Sequence, residues 1–401
     1  MREKRKLEIE ELISKLDLTP AMHKNAVKKY ESLRDYLKSV DEEIIFHPHG
    51  SFSIGTTVRP YKEQQERNYD LDSICLFNKN RDETTQVKVR DDLKRMLEKN
   101  EDYCSKLDFY DRCITINYAD YGSLGFNIDV VPSALTNAET KIKMLQKGCK
   151  AEYVDTAIEI SEVKQNGEFN WISSNPLAYV EWFNEINNPF ADVGRIERKR
   201  KIFESNKTIY NSVEDVPEYF NKTSLQMAIQ LLKRARDVHF SKLGKEKEKL
   251  KPISAIISTI VLDTAKRNLI SYNADVMDVI NIVLNELKTY SKYQSLSEDS
   301  FKALYQSKVT ISRNGSNWEM WNPVNPEDNL VDSWNKNSNS AKLFFEWVFN
   351  LEKTLGEILD ENSIAYQRKI GNILGNKLVE SYYGLDQVKT IQRGPGPWKC
   401  Q

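Results

Sequence analysis

Asp70-Leu71-Asp72 runs directly into Ser73-Ile74-Cys75-Leu76-Phe77, and no other stretch restricts the fold as strongly. Side chains alternate along a strand, so the two aspartates share one face while Leu71 and Phe77 take the other. Neighbouring carboxylates on an apolar strand repel each other and resist burial unless a cation joins them. An exposed edge strand would tolerate the pair, but the apolar run that follows reads as an interior strand. A third acid has the same setting, in Gly125-Phe126-Asn127-Ile128-Asp129-Val130-Val131-Pro132. Three carboxylates on neighbouring strands can hold two divalent cations about 4 Å apart, the arrangement used for in-line phosphoryl or nucleotidyl transfer. Hard oxygen ligands suit Mg²⁺, with Mn²⁺ as a substitute. Asp129 is then the candidate to help deprotonate an attacking hydroxyl.

The acids lie in a strand-rich region. Strands are expected over residues 43–46, 71–77, 113–118 and 126–131, with the last two joined as a hairpin by the turn-rich stretch 119–125. Two helices precede them. The second starts at Thr19-Pro20, and Met22, Ala26, Val27, Tyr30, Leu33, Leu37 and Val40 follow at three- and four-residue steps. A further helix is expected over 87–99. Together these form an α+β lobe over residues 1–165, N-terminal helices included. From 171 onward the periodicity is helical, over 176–186, 193–205, 222–239, 252–266, 276–287 and 340–359. A helical lobe therefore spans 166–390, with a cleft expected between the lobes. Residues 391–401, with Gly394-Pro395-Gly396-Pro397, read as a flexible tail. The lysine-rich stretch 241–251 reads as an exposed basic connection.

Gly50-Ser51-Phe52-Ser53-Ile54-Gly55-Thr56-Thr57 follows the first expected strand. Such a strand exit can present backbone N–H groups and the Ser51 hydroxyl to phosphate oxygens. It is not a Walker loop, because Thr56 stands where that motif needs lysine. By itself the loop is equally a tight turn with packing glycines, and the nearby acids favour the phosphate reading.

The 58 Lys and Arg nearly cancel the 59 Asp and Glu, leaving a formal charge of −1, which counts against a dedicated nucleic-acid binder. No run approaches the roughly 18 apolar residues of a membrane span. The charged, helix-periodic start MREKRKLEIEELISKL lacks secretory-signal features, so a cytoplasmic protein without membrane contact is expected. Cys75, Cys104, Cys113, Cys149 and Cys400 form no C-x-x-C pair and read as free thiols. His47-Pro48-His49 offers two metal ligands on one short segment, a weak case for a metal site.

The pattern G-S-x-x-x-G-T, D-x-D and a later strand acid resembles the polymerase-β-like nucleotidyltransferases. The fuller set GSFSIGTTVRP, YDLDSICLF and FNIDVVPS resembles the bacterial CD-NTases, relatives of the animal cyclic GMP–AMP and oligoadenylate synthases. Similarity continues through Trp171–Pro176 in sequence (WISSNP), Leu225-Gln226, Lys233–Asp237 (KRARD), Lys251-Pro252-Ile253-Ser254, Asn325–Asn329 and Trp334, covering residues 20–350. The resemblance implies a polymerase-β-like catalytic lobe with a mixed sheet, completed by the helical lobe. It implies that Asp70, Asp72 and Asp129 bind two Mg²⁺ ions and that Gly50, Ser51, Lys233 and Ser254 bind the donor triphosphate. Asn175 corresponds to a position near the nucleobase. The residues themselves fit these roles: Gln226, Gln230, Lys233 and Asp237 form a narrow polar stripe on a helix, and Ser254 opens a helix whose free N–H groups favour an anion. A solvent-facing stripe, an ordinary helix-start serine and an ordinary Asn-Pro helix entry are the respective alternatives.

The implied activity is synthesis of a cyclic oligonucleotide second messenger from nucleoside triphosphates, read by a separate effector in anti-phage (CBASS) defence. A linear-product enzyme, or one that modifies RNA, protein or a small molecule, stays open, as does an inactive nucleotide-binding scaffold. Eighteen residues separate Ser51 from Asp70, a longer loop than in minimal members. The zinc-binding insertion of the animal cyclase has no counterpart, so DNA activation is not expected. The basic group Arg195, Arg198, Lys199, Arg200 and Lys201 reads as a solvated helix face. The ending Trp398-Lys399-Cys400-Gln401 gives no firm support for conjugation through the C-terminus.

Overall fold

A computed structural model describes residues 1–118, 125–205, 221–267, 270–291, 296–297, 299–300, 303 and 310–384, and for 192–205 the backbone alone. The turn at 119–124, the basic side chains between Arg195 and Lys201, and the tail with Cys400 lie outside the described residues. In chain order the chain forms α1 (Arg2–Ser14), α2 (Pro20–Val40), β1 (Ile45–Pro48), α3 (Gly50–Ser53), β2 (Tyr61–Lys62), β3 (Gln65–Glu66), β4 (Tyr69–Asn80) and α4 (Gln86–Lys99). Next come β5 (Leu107–Phe109), β6 (Ile114–Asn117), β7 (Phe126–Leu135), α5 (Ala138–Gln146), α6 (Ala151–Val154), β8 (Ile158–Val163) and β9 (Phe169–Ser174). Helices α7 (Pro176–Ser205), α8 (Ser224–Ser241), α9 (Lys245–Glu248), α10 (Ser254–Arg267) and α11 (Val276–Ser291) follow. Short strands β10 (Ser312–Asn314), β11 (Asn317–Glu319), β12 (Trp321–Asn322) and β13 (Asn325–Asn329) precede helices Asp332–Lys336, Ser338–Ile358, Ser363–Leu374 and Asn376–Tyr382. Among the described residues no helix is long and apolar enough to cross a membrane.

Seven strands make one mixed sheet in the order β1-β4-β7-β6-β5, and β8 and β9 continue from the far half of β7. Among the described residues only β4 and β7 run parallel, and their register sets Asp72 opposite Asp129 and Asp70 opposite Asn127. One face of the sheet, carrying Tyr69, Leu71, Cys75, Phe77, Ile128 and Val130, is covered by the apolar stripes of α2 and α4. Both helices start on threonine caps, Thr19 accepting from the Met22 amide and Thr85 from that of Lys88. The other face has only the small cluster of Ile74, Leu76, Val131 and Ile158, and the acids stand on it.

The lobes divide differently from the sequence expectation. The buried residues of α1, Ile9, Leu12 and Ile13, belong to the helical core with α8, α11 and helix Ser338–Ile358, so this helix does not pack in the catalytic lobe. Strand β9 extends the sheet beyond residue 165, because its partner β8 reaches it through a tight turn. The helices expected over 176–186 and 193–205 are one, with Pro189 inside. Proline removes one intrahelical bond, yet tertiary contacts carry the helix through: Phe190 is buried against Tyr272, and the buried Asn187 accepts from the Thr223 hydroxyl at 2.6 Å. The lysine-rich connection is not wholly exposed, since α9 buries Glu248 and Lys251 pairs with Asp237 at 2.9 Å.

Candidate active site

A cleft of about 520 Å³ opens between the acid-bearing face of the sheet and the helices α7, α8 and α10, with β12 and β13 at one side. That volume suits a small-molecule ligand of nucleotide size. Gly50, Ser51, Asp70, Asp72, Asn175, Lys233 and Ser254 all line it. Asp129 stands on the same sheet face, in register with Asp72, but is not among the residues that line the cleft.

Strand alternation puts the three acids on one face, but in the structure each carboxylate has settled against a different neighbour. Thr115 Oγ1 donates to Asp129 Oδ1 at 2.5 Å, Asn127 Nδ2 lies 3.5 Å from Asp70 Oδ1, and the Asp72 carboxylate turns toward the Gly50 backbone. Among the described residues no three His, Cys, Asp or Glu side chains close on one point tightly enough to hold a metal ion. The closed acidic ligand cluster expected from the sequence is therefore not formed, and His47 and His49 do not join one. Repulsion between uncompensated carboxylates accounts for the spread. Desolvation, then the charge of Asp129, pushes the Asp70 carboxyl up to about 6. Asp72, desolvated and facing both other acids, is pushed up to about 7, and desolvation also raises Asp129. Such a set of oxygen donors, each holding its charge at a cost, fits a hard divalent cation.

Gly50 must be glycine for two reasons. Its φ of +65° is a left-handed conformation, and a Cβ there would run into the Asp72 carboxylate. The strand is held at this point by its own backbone: the Asp72 carbonyl accepts from the His49 amide at 2.9 Å and the Tyr30 hydroxyl at 3.0 Å. His49 is pulled down to about 3, chiefly by burial, and so is neutral.

The polar stripe of α8 faces protein, not solvent. Gln226 completes a capping box with Thr223 and also donates to the Ile54 carbonyl at 2.9 Å. Gln230 donates to the Thr57 carbonyl at 2.8 Å and to Asp17 at 3.0 Å, and Lys233 Nζ donates to the Thr56 carbonyl at 2.9 Å. One helix thus grips three carbonyls of the loop that follows Ser51. Gly55, at φ +64°, leaves the room: a Cβ would stand 2.6 Å from Gln226 Nε2. Lys233 is only 6% exposed, and its ammonium is pulled down to about 8, first by burial and then by Arg236.

Arg236 was legible as a cation one turn beyond Lys233 but was not assigned to the site. It pairs with Asp237 and donates to the Pro252 carbonyl at 2.9 Å and Ser254 Oγ at 3.2 Å, which fixes the start of α10 beside the cleft. Lys251 and Asp328, from segments that carry the resemblance but were given no site role, also line the cleft, as do Arg112 and Asn322, whose sequence neighbourhoods carry no periodic signal. Asn175 lines the cleft, and its amide is already engaged by neighbouring groups. Its amide donates to the Tyr153 and Val324 carbonyls at 2.6 and 3.2 Å and accepts from Thr156 Oγ1 at 2.9 Å and the Ala178 amide at 3.4 Å. Both donors and the acceptor are spent on capping α7 and fastening it to the segment before β13, leaving nothing to read a base edge.

Residues 45–132 match the family described as Cyclic GMP-AMP synthase DncV-like, nucleotidyltransferase domain. Over 358 residues the chain is 25% identical to a c-di-GMP synthase of Roseivirga ehrenbergii, covering 86% of this chain and 78% of that protein. It is 26% identical over 244 residues to the cyclic dinucleotide synthase CdnG of Bradyrhizobium diazoefficiens, a match spanning 58% of this chain and 52% of that one. The solved structure of the Bradyrhizobium CD-NTase CdnG in complex with GTP shares the fold with a TM-score of 0.63 at 20% identity, over 94% of this chain and 98% of that one. Fold and relatives agree with the acid-bearing strand pair: residues 45–132 match a nucleotidyltransferase domain, and the chain is similar in sequence to bacterial cyclic dinucleotide synthases and in fold to a bacterial CD-NTase.

Proposed function

We propose that this chain joins nucleoside triphosphates, ATP or another, into a cyclic oligonucleotide, and that the product is a second messenger of bacterial anti-phage signalling sensed by a separate effector. The reading is carried by one observation: on the open face of a parallel strand pair, Asp70 and Asp72 line the cleft together with Ser51 and Lys233, and Asp129 stands in register beside Asp72. Similarity to enzymes named cyclic dinucleotide synthases supports the ring-closing outcome. In this reading the sheet with its covering helices and the helical lobe act as the two sides of the site, in the cytoplasm.

Asp70, Asp72 and Asp129 would hold two Mg²⁺ ions, which when bound neutralise the triphosphate and polarise the attacking hydroxyl. Asp129 takes up the hydroxyl proton. Ser51 Oγ and the backbone amides that follow Gly50 bind phosphate oxygens, while Lys233 adds a positive charge from the opposite wall. Because Lys233 is already tied to the Thr56 carbonyl, it also fixes the loop against α8 before the nucleotide arrives. Arg236 and Ser254 set the first turn of α10 as a further anion contact.

The deciding experiment incubates the full chain with all four labelled triphosphates and Mg²⁺ or Mn²⁺, then removes terminal phosphates with phosphatase. A resistant product with as many phosphates as nucleosides is expected. One phosphate fewer would mean a linear product, and no product with any base or metal would favour an inactive scaffold. Lys233→Ala and Ser51→Ala should each weaken nucleotide binding about ten- to a hundredfold, from the roughly 1.5–3 kcal/mol of a charge-assisted hydrogen bond. Bound triphosphate raises the Lys233 pKa, so parent affinity should fall as pH rises past about 8. Titration calorimetry at pH 7 and 9 checks this, and the decline should vanish in Lys233→Ala.

A further inference from the structure

The acid-bearing face of the sheet runs on from β7 into β6. Alternation in β6 buries Ile114 and Ile116 in the core under α2 and α4 and turns Thr115 to the face that carries the acids. The antiparallel register sets Thr115 directly opposite Asp129, and the parallel register on the other side sets Asp72 there. Asp129 therefore stands between a like charge and a hydroxyl. It is drawn to the hydroxyl, with Thr115 Oγ1 donating to Asp129 Oδ1 at 2.5 Å, the short end of the range for a hydroxyl on a carboxylate. An ionised carboxylate only accepts, so Thr115 spends its single hydrogen on this bond. The Cys113 thiol, 3.8 Å from Thr115 Oγ1, is then the donor in that contact and steadies the hydroxyl from behind. The Asp129 backbone is fixed as well, its carbonyl accepting from Ser73 Oγ at 3.0 Å. Rotation of the carboxylate is the freedom that remains, and Thr115 takes it away.

Thr115 is only 4% exposed, and a buried strand position that needed shape alone would be served equally by valine, which has the same branched outline and a high strand propensity. The hydroxyl adds one thing, a hydrogen bond to one oxygen of the acid. With Oδ1 so held, Oδ2 is left as the oxygen for a cation shared with Asp72. Donors that orient a ligating carboxylate are worth about ten- to a hundredfold in metal affinity or activity. Resting on the nucleotidyltransferase reading, we propose that Thr115 is a positioning residue that fixes the Asp129 carboxylate for its place in the divalent-cation site.

The test compares Thr115→Val and Thr115→Ser with the parent full chain in two measurements. One is a Mn²⁺ titration followed by electron paramagnetic resonance, and the other is steady-state turnover of labelled triphosphates with Mg²⁺. Thr115→Val is expected to bind Mn²⁺ about ten- to a hundredfold more weakly and to lose kcat to a similar extent, while KM for the triphosphate holds within about twofold. Thr115→Ser keeps the hydroxyl and should recover most of both losses, which keeps the idea testable if a thermal melt shows the valine variant poorly folded. In an Asp129→Asn background the valine change should weaken Mn²⁺ binding no further, because it acts through that acid. A folded Thr115→Val that binds Mn²⁺ like the parent, or a serine variant as impaired as the valine one, would overturn the assignment and leave the functional reading standing. No product from any triphosphate in the parent sinks the functional reading, and the Mn²⁺ titrations then decide Thr115 on their own.

Discussion

Replacing Asp70 and Asp72 together with asparagine is expected to cut product formation by at least about a thousandfold and to leave the protein folded at least as firmly as the parent. Burial and the charge of Asp129 push both carboxyls upward, and Asp70 adds to the lift on Asp72, so these charges work against the folded state when no cation is present. Asparagine keeps the shape and removes that repulsion. The same change strips the cleft of two of its three anionic ligands, and electrostatic stabilisation of this kind is worth several kcal/mol of barrier. Asp129→Asn should act similarly, because it also removes the proposed proton acceptor. Turnover of labelled triphosphates, with a melt run with and without Mg²⁺, decides the matter. Added Mg²⁺ should raise the parent's melting temperature and leave that of the double variant unmoved. Undiminished turnover in the folded double variant would refute the role given to these acids.

Glu66→Ala should give the largest loss of stability. Arg234 is fully buried in α8, and its guanidinium donates to Glu66 Oε1 at 2.6 Å, to the Leu374 carbonyl at 2.7 Å and to the Arg59 carbonyl at 3.1 Å. Glu66 also pairs with Arg59, so one carboxylate on the β2–β3 hairpin serves two cations. Removing it leaves a buried guanidinium uncompensated, a change that costs about 3–5 kcal/mol. The melting temperature should fall by about 4–10 °C. Glu66→Gln should recover part of that loss through its remaining acceptor. Burial works to raise the Glu66 carboxyl, but Arg234 and Arg59 outweigh it and hold the group below its ordinary value. Its stabilising contribution is therefore complete above the unfolded carboxyl range and lost as pH falls through the lowered folded value. The acid limb of a pH–stability curve should accordingly flatten in Glu66→Ala. A variant that melts like the parent at neutral pH would show that the hairpin does not clamp the lobes.

The stretch Tyr61–Asn68 in sequence was legible only as an unusually long polar loop. In the structure it folds back as the β2–β3 hairpin, with Glu63 and Gln64 both at positive φ, and brings Glu66 onto α8. Asn175 shows the converse case. A motif marked its position correctly beside the cleft, yet its amide is consumed by backbone groups from 22 and 149 residues away.

Strand alternation around Asp70-Leu71-Asp72, the helix starts at Thr19 and Thr85 and the polar stripe on α8 were determined by the sequence by itself, since each depends on residues within a few turns of one another. Tertiary structure alone decided what those patterns face: the register that sets Asp72 opposite Asp129, the loop carbonyls that occupy the α8 stripe, and the transfer of α1 to the helical core. The physical reason is that periodicity records which face of an element avoids water, whereas the partner covering that face is chosen by contacts between residues far apart in the chain.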